Sequence, residues 1–273
     1  MIKYYIPLYY TFITRYTTII SKISFFIMVF FPDLLYLGLL RGINLRDFYY
    51  YTVSFYSIYS IYECGYLFND IITTKFENNA TKRLTKLEEI SLLKHFQGLI
   101  TVRAIIVIMI NSYLFYQYDN YKIFIIFQII LLAAYSIHNF FRNRINICTM
   151  CIMVTMKYFI PMSIFIDFFE NIIAYFILFL SIPLIRAIEY AGKERYGLKW
   201  IQINNYDIFR IKYYLCLFLF LITIYSIKYI NIIHIILPLG LLLFRAAAFF
   251  FLKSSTVASS IEKNRSKQSI KNN

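Results

Sequence analysis

An all-α, polytopic transmembrane helical bundle is what this sequence predicts, and three observations predict it. Of its 273 residues, 60% are hydrophobic and only 15% charged. The apolar residues form continuous runs long enough to cross a hydrocarbon core of about 30 Å, which takes roughly 20 helical residues. Those runs lack the alternation of a membrane β-barrel strand, so helices are what satisfies their backbone hydrogen bonds inside lipid.

Taken in order, hydropathy places spans near 23–40, 48–68, 96–116, 121–140, 147–166, 171–188, 213–229 and 231–251, eight in all. The flanking charges support the division. Lys3, Arg15 and Lys22 precede the first span, and Lys75, Lys82, Arg83, Lys86 and Lys94 follow the second. Arg142 and Arg144 follow the fourth. Lys193, Arg195, Lys199, Arg210 and Lys212 lie between the sixth and seventh, and Lys253, Lys263, Arg265, Lys267 and Lys271 fill the tail. Only Arg41, Arg46, Lys122 and Lys228 fall in the intervening loops. Cytoplasmic loops carry the excess of Lys and Arg, so both termini and the two long polar loops are predicted to be cytoplasmic. The net charge of +14 therefore orients the protein and does not point to nucleic acid.

The expected organisation is one membrane domain over 1–253 and a basic, Ser- and Asn-rich disordered tail over 254–273. No small-residue cleavage site follows the first apolar run, which reads as a full span and its own targeting signal. Cys148 and Cys151 form a lone CxxC with no second Cys or His pair, so neither a zinc site nor a disulfide framework is predicted. His95, His138 and His234 show no metal-ligand spacing, and the sequon at Asn79 is void in a cytoplasmic loop.

Two loops stand apart by length and acidity, 69–95 and 186–212, and both are predicted on the same face. Loops of that length in a tightly connected bundle are where function tends to reside. In the first, Asp70, Thr73 and Glu77 share one stripe if the second helix continues past the membrane. Such a stripe suits Mg²⁺, which takes one or two carboxylates and completes its octahedron with water and phosphate oxygens. Asn69 would orient Asp70 or meet a phosphate, and Lys82 and Arg83 would neutralise outer phosphates. The same residues also suit a plain solvated helix extension. In the second loop, Glu189 is either a second metal carboxylate, with Lys193 and Arg195 taking phosphate, or the partner of Lys193 on an ordinary interfacial helix end. Arg103 and Lys157 fall inside spans, at depths of roughly 10 Å and 15 Å from the helix starts. An ionised group there faces a partner or a watery cavity: either both side chains reach a phosphate held below the acidic loops, or they snorkel or pair structurally.

The stretch "NDIITTKFENNATKRL", 69–84, resembles the first aspartate-rich motif of the UbiA superfamily of intramembrane prenyltransferases. Asn69 and Asp70 match that motif, Glu77 matches conservatively, and Thr73 stands where the family has an aspartate. Ala80-Thr81-Lys82-Arg83 is similar to the Pro-Thr-Lys-Arg that closes the motif in the branch resembling decaprenyl-phosphate phosphoribosyltransferases. Ala191-Gly192-Lys193 looks like the second motif of that branch, in which a lysine replaces a carboxylate. The resemblance implies a UbiA-like fold, usually of nine spans, in a bacterial inner membrane. It also implies Mg²⁺ on Asp70, Glu77 and Glu189, a diphosphate donor, and a polyprenyl phosphate or polyprenyl diphosphate. Two reactions follow from it: phosphoribosyl transfer to polyprenyl phosphate, towards which the cations Lys82, Arg83 and Lys193 lean, or prenyl transfer from polyprenyl diphosphate to an aromatic acceptor. A non-catalytic protein that binds polyprenyl phosphate is the third alternative.

Overall fold

The structure, a computed structural model, describes residues 1–76, 82–141 and 143–254, and every described regular element is a helix. By length and composition, seven helices among the described residues are apolar enough to cross a membrane, which marks an integral membrane protein. The chain forms two compact units, Met1–Leu198 and Lys199–Asn273. The predicted disordered tail lies, from residue 255 on, outside the described residues.

In the first unit a short helix, α1 (Tyr9–Thr14), precedes the first span, α2 (Ile19–Arg41). Thr18 caps α2 through its side chain, which accepts from the Ser21 backbone N–H. Inside α2 the stretch Phe26–Phe30 widens into a π turn just before Pro32. Proline has no N–H, so the carbonyl four residues earlier, Met28, loses its helical donor. The Tyr158 hydroxyl donates to that carbonyl instead, at 2.8 Å, and the Tyr51 hydroxyl lies 2.8 Å from the Phe30 carbonyl. In hydrocarbon, where no water can substitute, such side-chain donors are what make a broken helix tolerable.

Gly42, at φ +76°, turns the chain between α2 and α3 (Leu45–Ile71). The capping box of Asn44 and Asp47 starts α3, three residues earlier than hydropathy placed it. At 27 residues it is the longest helix, yet it is not among the seven apolar ones, because tyrosines and serines interrupt it. Those residues are buried: Ser54, Ser57, Ser60 and Glu63 are all shielded inside the bundle. A helix that is polar yet buried is central, and α3 packs against α5 (Phe96–Phe115), α6 (Tyr121–Phe140) and α7 (Ile145–Ser163). A short surface helix, α4 (Lys86–Lys94), precedes α5.

Between α5 and α6, Asn111 and Gln128 exchange amide hydrogen bonds of 2.8 and 3.2 Å, with Ser57 of α3 at 3.4 Å from the Gln128 amide nitrogen. Interhelical polar pairs of this kind contribute about 0.6–2 kcal/mol in membranes. The last span of the unit, α8 (Ile172–Ala191), contains a second π turn, Leu180–Leu184, around Pro183.

Gly65 lets α3 pass close to a side chain of α6: a Cβ there would lie 2.3 Å from the ring of Tyr135. Tyr135 is itself held edge-on against Tyr62, with centroids 5.0 Å apart. Gly65→Ala should therefore lower the midpoint of thermal unfolding in detergent. The overpacking costs about 1–3 kcal/mol, which exceeds the roughly 1 kcal/mol that alanine gains in helix propensity.

The second unit is an antiparallel pair, α9 (Tyr206–Ser226) and α10 (Ile233–Ser254). Asn205 caps α9 by accepting from the backbone N–H groups of Asp207 and Ile208, both at 3.0 Å.

Candidate functional site

Where α3, α6 and α8 end and α7 begins, the first unit holds a cavity of about 340 Å³. Residues far apart in sequence line it: Asn69, Thr74 and Arg83 from the first polar region, Tyr190, Lys193 and Arg195 from the second, and Lys157 from within α7. Arg15, from the segment before α2, completes its cations. Among the described residues the wall thus carries five cationic side chains and no carboxylate.

Tyrosine rings stand against four of those five charges, and of the four only Arg15 is also paired, among the described residues, with a carboxylate, that of Asp70. Arg15 stacks over Tyr66 at 4.2 Å from the ring centroid, Lys157 over Tyr62 at 5.5 Å, Lys193 over Tyr190 at 4.3 Å, and Arg195 between Tyr190 at 5.0 Å and Tyr196 at 4.8 Å. The Arg195 guanidinium also donates to the hydroxyls of Tyr196, at 2.9 Å, and Tyr190. A ring face stabilises a cation by about 0.5–2 kcal/mol without cancelling its charge. Charge held this way stays available to an anion. Lys193 shows the crowding: loss of water around it, then the neighbouring charges of Arg195 and Arg83, push its ammonium down to about 8.

Asp70 sits just behind this wall, with its side chain 2% exposed. Its oxygens accept from both Arg15 Nη atoms, Nη2 at 3.0 Å, from Arg83 at 3.2 Å, from the Tyr10 hydroxyl at 2.7 Å and from the Asn69 amide at 3.1 Å. A carboxylate offers about four lone-pair sites, so these donors saturate it. Burial and the adjoining Asp70 carboxylate also hold the Tyr10 hydroxyl far above its ordinary range, in its neutral donor form.

The stripe expected to carry Asp70, Thr73 and Glu77 does not form over the described residues. α3 stops at Ile71, and Thr73–Phe76 tightens into a 3-10 turn. Thr73 bonds back to the Asn69 carbonyl at 2.8 Å and to its side-chain oxygen at 3.0 Å, and Thr74 bonds back to the Asp70 carbonyl at 2.9 Å. In a run of β-branched residues, hydroxyls that compete for backbone acceptors end a helix. Thr73 is buried and off the cavity, and Glu77 lies outside the described residues. Lys82 is exposed and does not line the cavity.

In the second region α8 ends at Ala191, so Glu189 and Lys193 share no helical stripe. Glu189 instead accepts from Arg186 at 3.1 Å, is buried, and does not line the cavity. The described carboxylates therefore do not fit the Mg²⁺ site that the resemblance implies: Asp70 has no free oxygen, and neither it nor Glu189 faces the cavity. Among the described residues no cluster of three His, Cys, Asp or Glu side chains is placed to hold a metal.

Arg103, expected near a phosphate, is wholly buried and pairs with Glu63 of α3 at 2.8 Å. Its guanidinium also donates to the Tyr4 carbonyl at 2.8 Å, while the other Glu63 oxygen accepts from the Thr11 backbone N–H at 2.7 Å. This intramembrane pair clamps the segment before α2 to the bundle by its backbone. Sequence reasoning missed Arg15, Tyr66 and His138 as cavity residues. His138 lines the wall with its Nδ1 2.8 Å from the Thr149 hydroxyl.

No family model, no curated protein and no solved structure matches the chain.

Proposed function

We propose that this protein is a UbiA-like integral membrane transferase that holds the phosphate groups of a polyprenyl substrate and of a diphosphate donor in the cation-lined cavity. What supports the reading is convergence. The two regions that resemble family motifs contribute Asn69 and Arg83 on one side and Lys193 and Arg195 on the other to a single wall, with Lys157 from the intervening helix α7. The positive-inside bias assigns this end of the bundle to the cytoplasmic side, where a water-soluble donor is available.

Leaning to the phosphoribosyl branch, a polyprenyl phosphate oxygen attacks C1 of phosphoribosyl diphosphate, and the C1–oxygen bond to diphosphate breaks. Arg83, Lys193 and Arg195 absorb the charge that develops on the leaving diphosphate, in positions fixed before the reaction starts. Any Mg²⁺ belongs, on this reading, to the diphosphate substrate and not to Asp70 or Glu189.

The test is incubation of the detergent-purified chain with farnesyl phosphate and phosphoribosyl diphosphate. A farnesyl-phosphate sugar and inorganic diphosphate, in equal amounts by mass spectrometry and colorimetry, are expected. A prenylated aromatic formed from farnesyl diphosphate instead would select the alternative transfer. The saturation of Asp70 favours a second reading, a polyprenyl-phosphate-binding protein without turnover, for which farnesyl phosphate binds and neither product forms.

The Lys193 ammonium gives the binding a pH signature. With its pKa lowered to about 8, it loses its proton as pH rises from 7 to 9, whereas a phosphate monoester, with its second pKa at about 6, is already almost wholly dianionic by pH 7. Farnesyl phosphate affinity should therefore fall across that window, with proton uptake on binding near pH 8. Lys193→Arg should flatten the profile, as calorimetry in buffers of different ionisation enthalpy will reveal.

A further inference from the structure

We propose that Arg15 is a headgroup-binding residue held ready by Asp70, and that an incoming phosphate takes Arg15 and Arg83 over from that carboxylate. The proposal rests on the anion-binding reading of the cavity and assigns it a residue outside both motif regions.

Arg15 belongs to none of the spans. It reaches the cavity because the segment carrying it is fastened at two points, Tyr4 to Arg103 and Thr11 to Glu63. Its guanidinium then lies over the ring of Tyr66, itself a cavity residue, with 15% of the side chain exposed. Of the five N–H donors of an arginine, two go to Asp70 and one to the Thr14 hydroxyl, leaving Nε and one Nη2 hydrogen for another acceptor. Arg83 is 32% exposed and gives Asp70 a single contact at 3.2 Å.

The geometry is that of a site whose own carboxylate occupies the Nη1–Nη2 fork of Arg15 and one donor of Arg83, groups that a phosphate would also use. An arginine fork matches phosphate as well as carboxylate, and a dianionic phosphate is the more strongly charged partner. Asp70 on this account organises the cations and competes with the ligand, the reverse of a metal-bridging role. Its removal should therefore not abolish anion binding.

The experiment titrates the full chain in detergent, with EDTA present, against farnesyl phosphate in one arm and phosphoribosyl diphosphate in the other, so that a lipid-borne and a soluble phosphate are told apart. Arg15→Ala should weaken whichever probe binds by about tenfold or more, the contribution of charge-assisted hydrogen bonds. Asp70→Asn should bind at least as tightly as the wild type. Should Arg15→Ala not accumulate as folded protein, Arg15→Lys is read instead; it leaves Asp70 a partner but removes the fork, and a several-fold loss is expected. Unchanged affinity in the Arg15 variants, or binding in Asp70→Asn as weak as in Arg15→Ala, overturns the proposal. Arg83→Ala/Lys193→Ala serves as the reference. If that variant loses binding while Arg15→Ala keeps it, the cavity reading stands and the role of Arg15 falls. If the wild type binds neither probe, both fall.

Discussion

Arg103→Met is expected to destabilise the protein by about 3–5 kcal/mol, the cost of leaving a buried charge without its partner. Arg103 and Glu63 are both wholly shielded and lie 2.8 Å apart inside the bundle. Without the guanidinium, Glu63 keeps only the Thr11 backbone N–H, at 2.7 Å, and the Tyr4 carbonyl loses its donor. The pair is a poor source of net stability, because taking two charges out of water costs most of what their attraction returns. Breaking one half is another matter. Denaturant unfolding of Arg103→Met should show the large loss, and the double variant Glu63→Gln/Arg103→Met should recover much of it. Equal losses in the single and double variants would mean that packing, and not the orphaned charge, sets the cost.

Loss of headgroup binding in Arg83→Ala/Lys193→Ala should be the largest functional effect. Charge-assisted hydrogen bonds contribute about 1.5–3 kcal/mol each, so removing two should weaken farnesyl phosphate binding by roughly a hundredfold or more. Both side chains are partly exposed at the cavity, and Asp70 keeps Arg15, Tyr10 and Asn69 as donors when Arg83 is removed, so the loss of stability should be small beside the loss of affinity. Affinity should therefore collapse while the thermal midpoint holds. Equal affinity for wild type and double variant, measured on folded protein, would remove the cavity from the function.

The helical architecture was legible because continuous apolar runs in a chain this hydrophobic admit few other structures. All eight predicted spans have a helix, although α3 runs from Leu45 to Ile71 where hydropathy alone marked 48–68. Its ends are set by a capping box and by back-bonding threonines, which hydropathy does not weigh. Lys157, Lys193 and Arg195 were legible as cavity cations, since an intramembrane lysine and a basic loop after a span both need a reason.

Asp70 was visible as a polar residue at a helix end, but its partners were not. Arg15 lies 55 positions away and reads, in sequence, as one more orienting charge. Arg103 was visible as a costly charge, yet Glu63 hides among tyrosines and serines 40 positions earlier, and only the packing of α3 against α5 joins them. Pairings between distant segments carry no local periodicity, which is why charge type could be read and charge partnership could not.

The clamp on the early segment has a consequence for how the molecule comes together. Residues 4 to 15 are synthesised long before Arg103, the group that fastens them, so they must wait at the interface until α3 and α5 have paired. Contacts of such sequence separation form slowly. The cavity therefore acquires Arg15 only at a late stage of assembly, and a chain in which α3 and α5 pair slowly would have all its spans and still lack that cation.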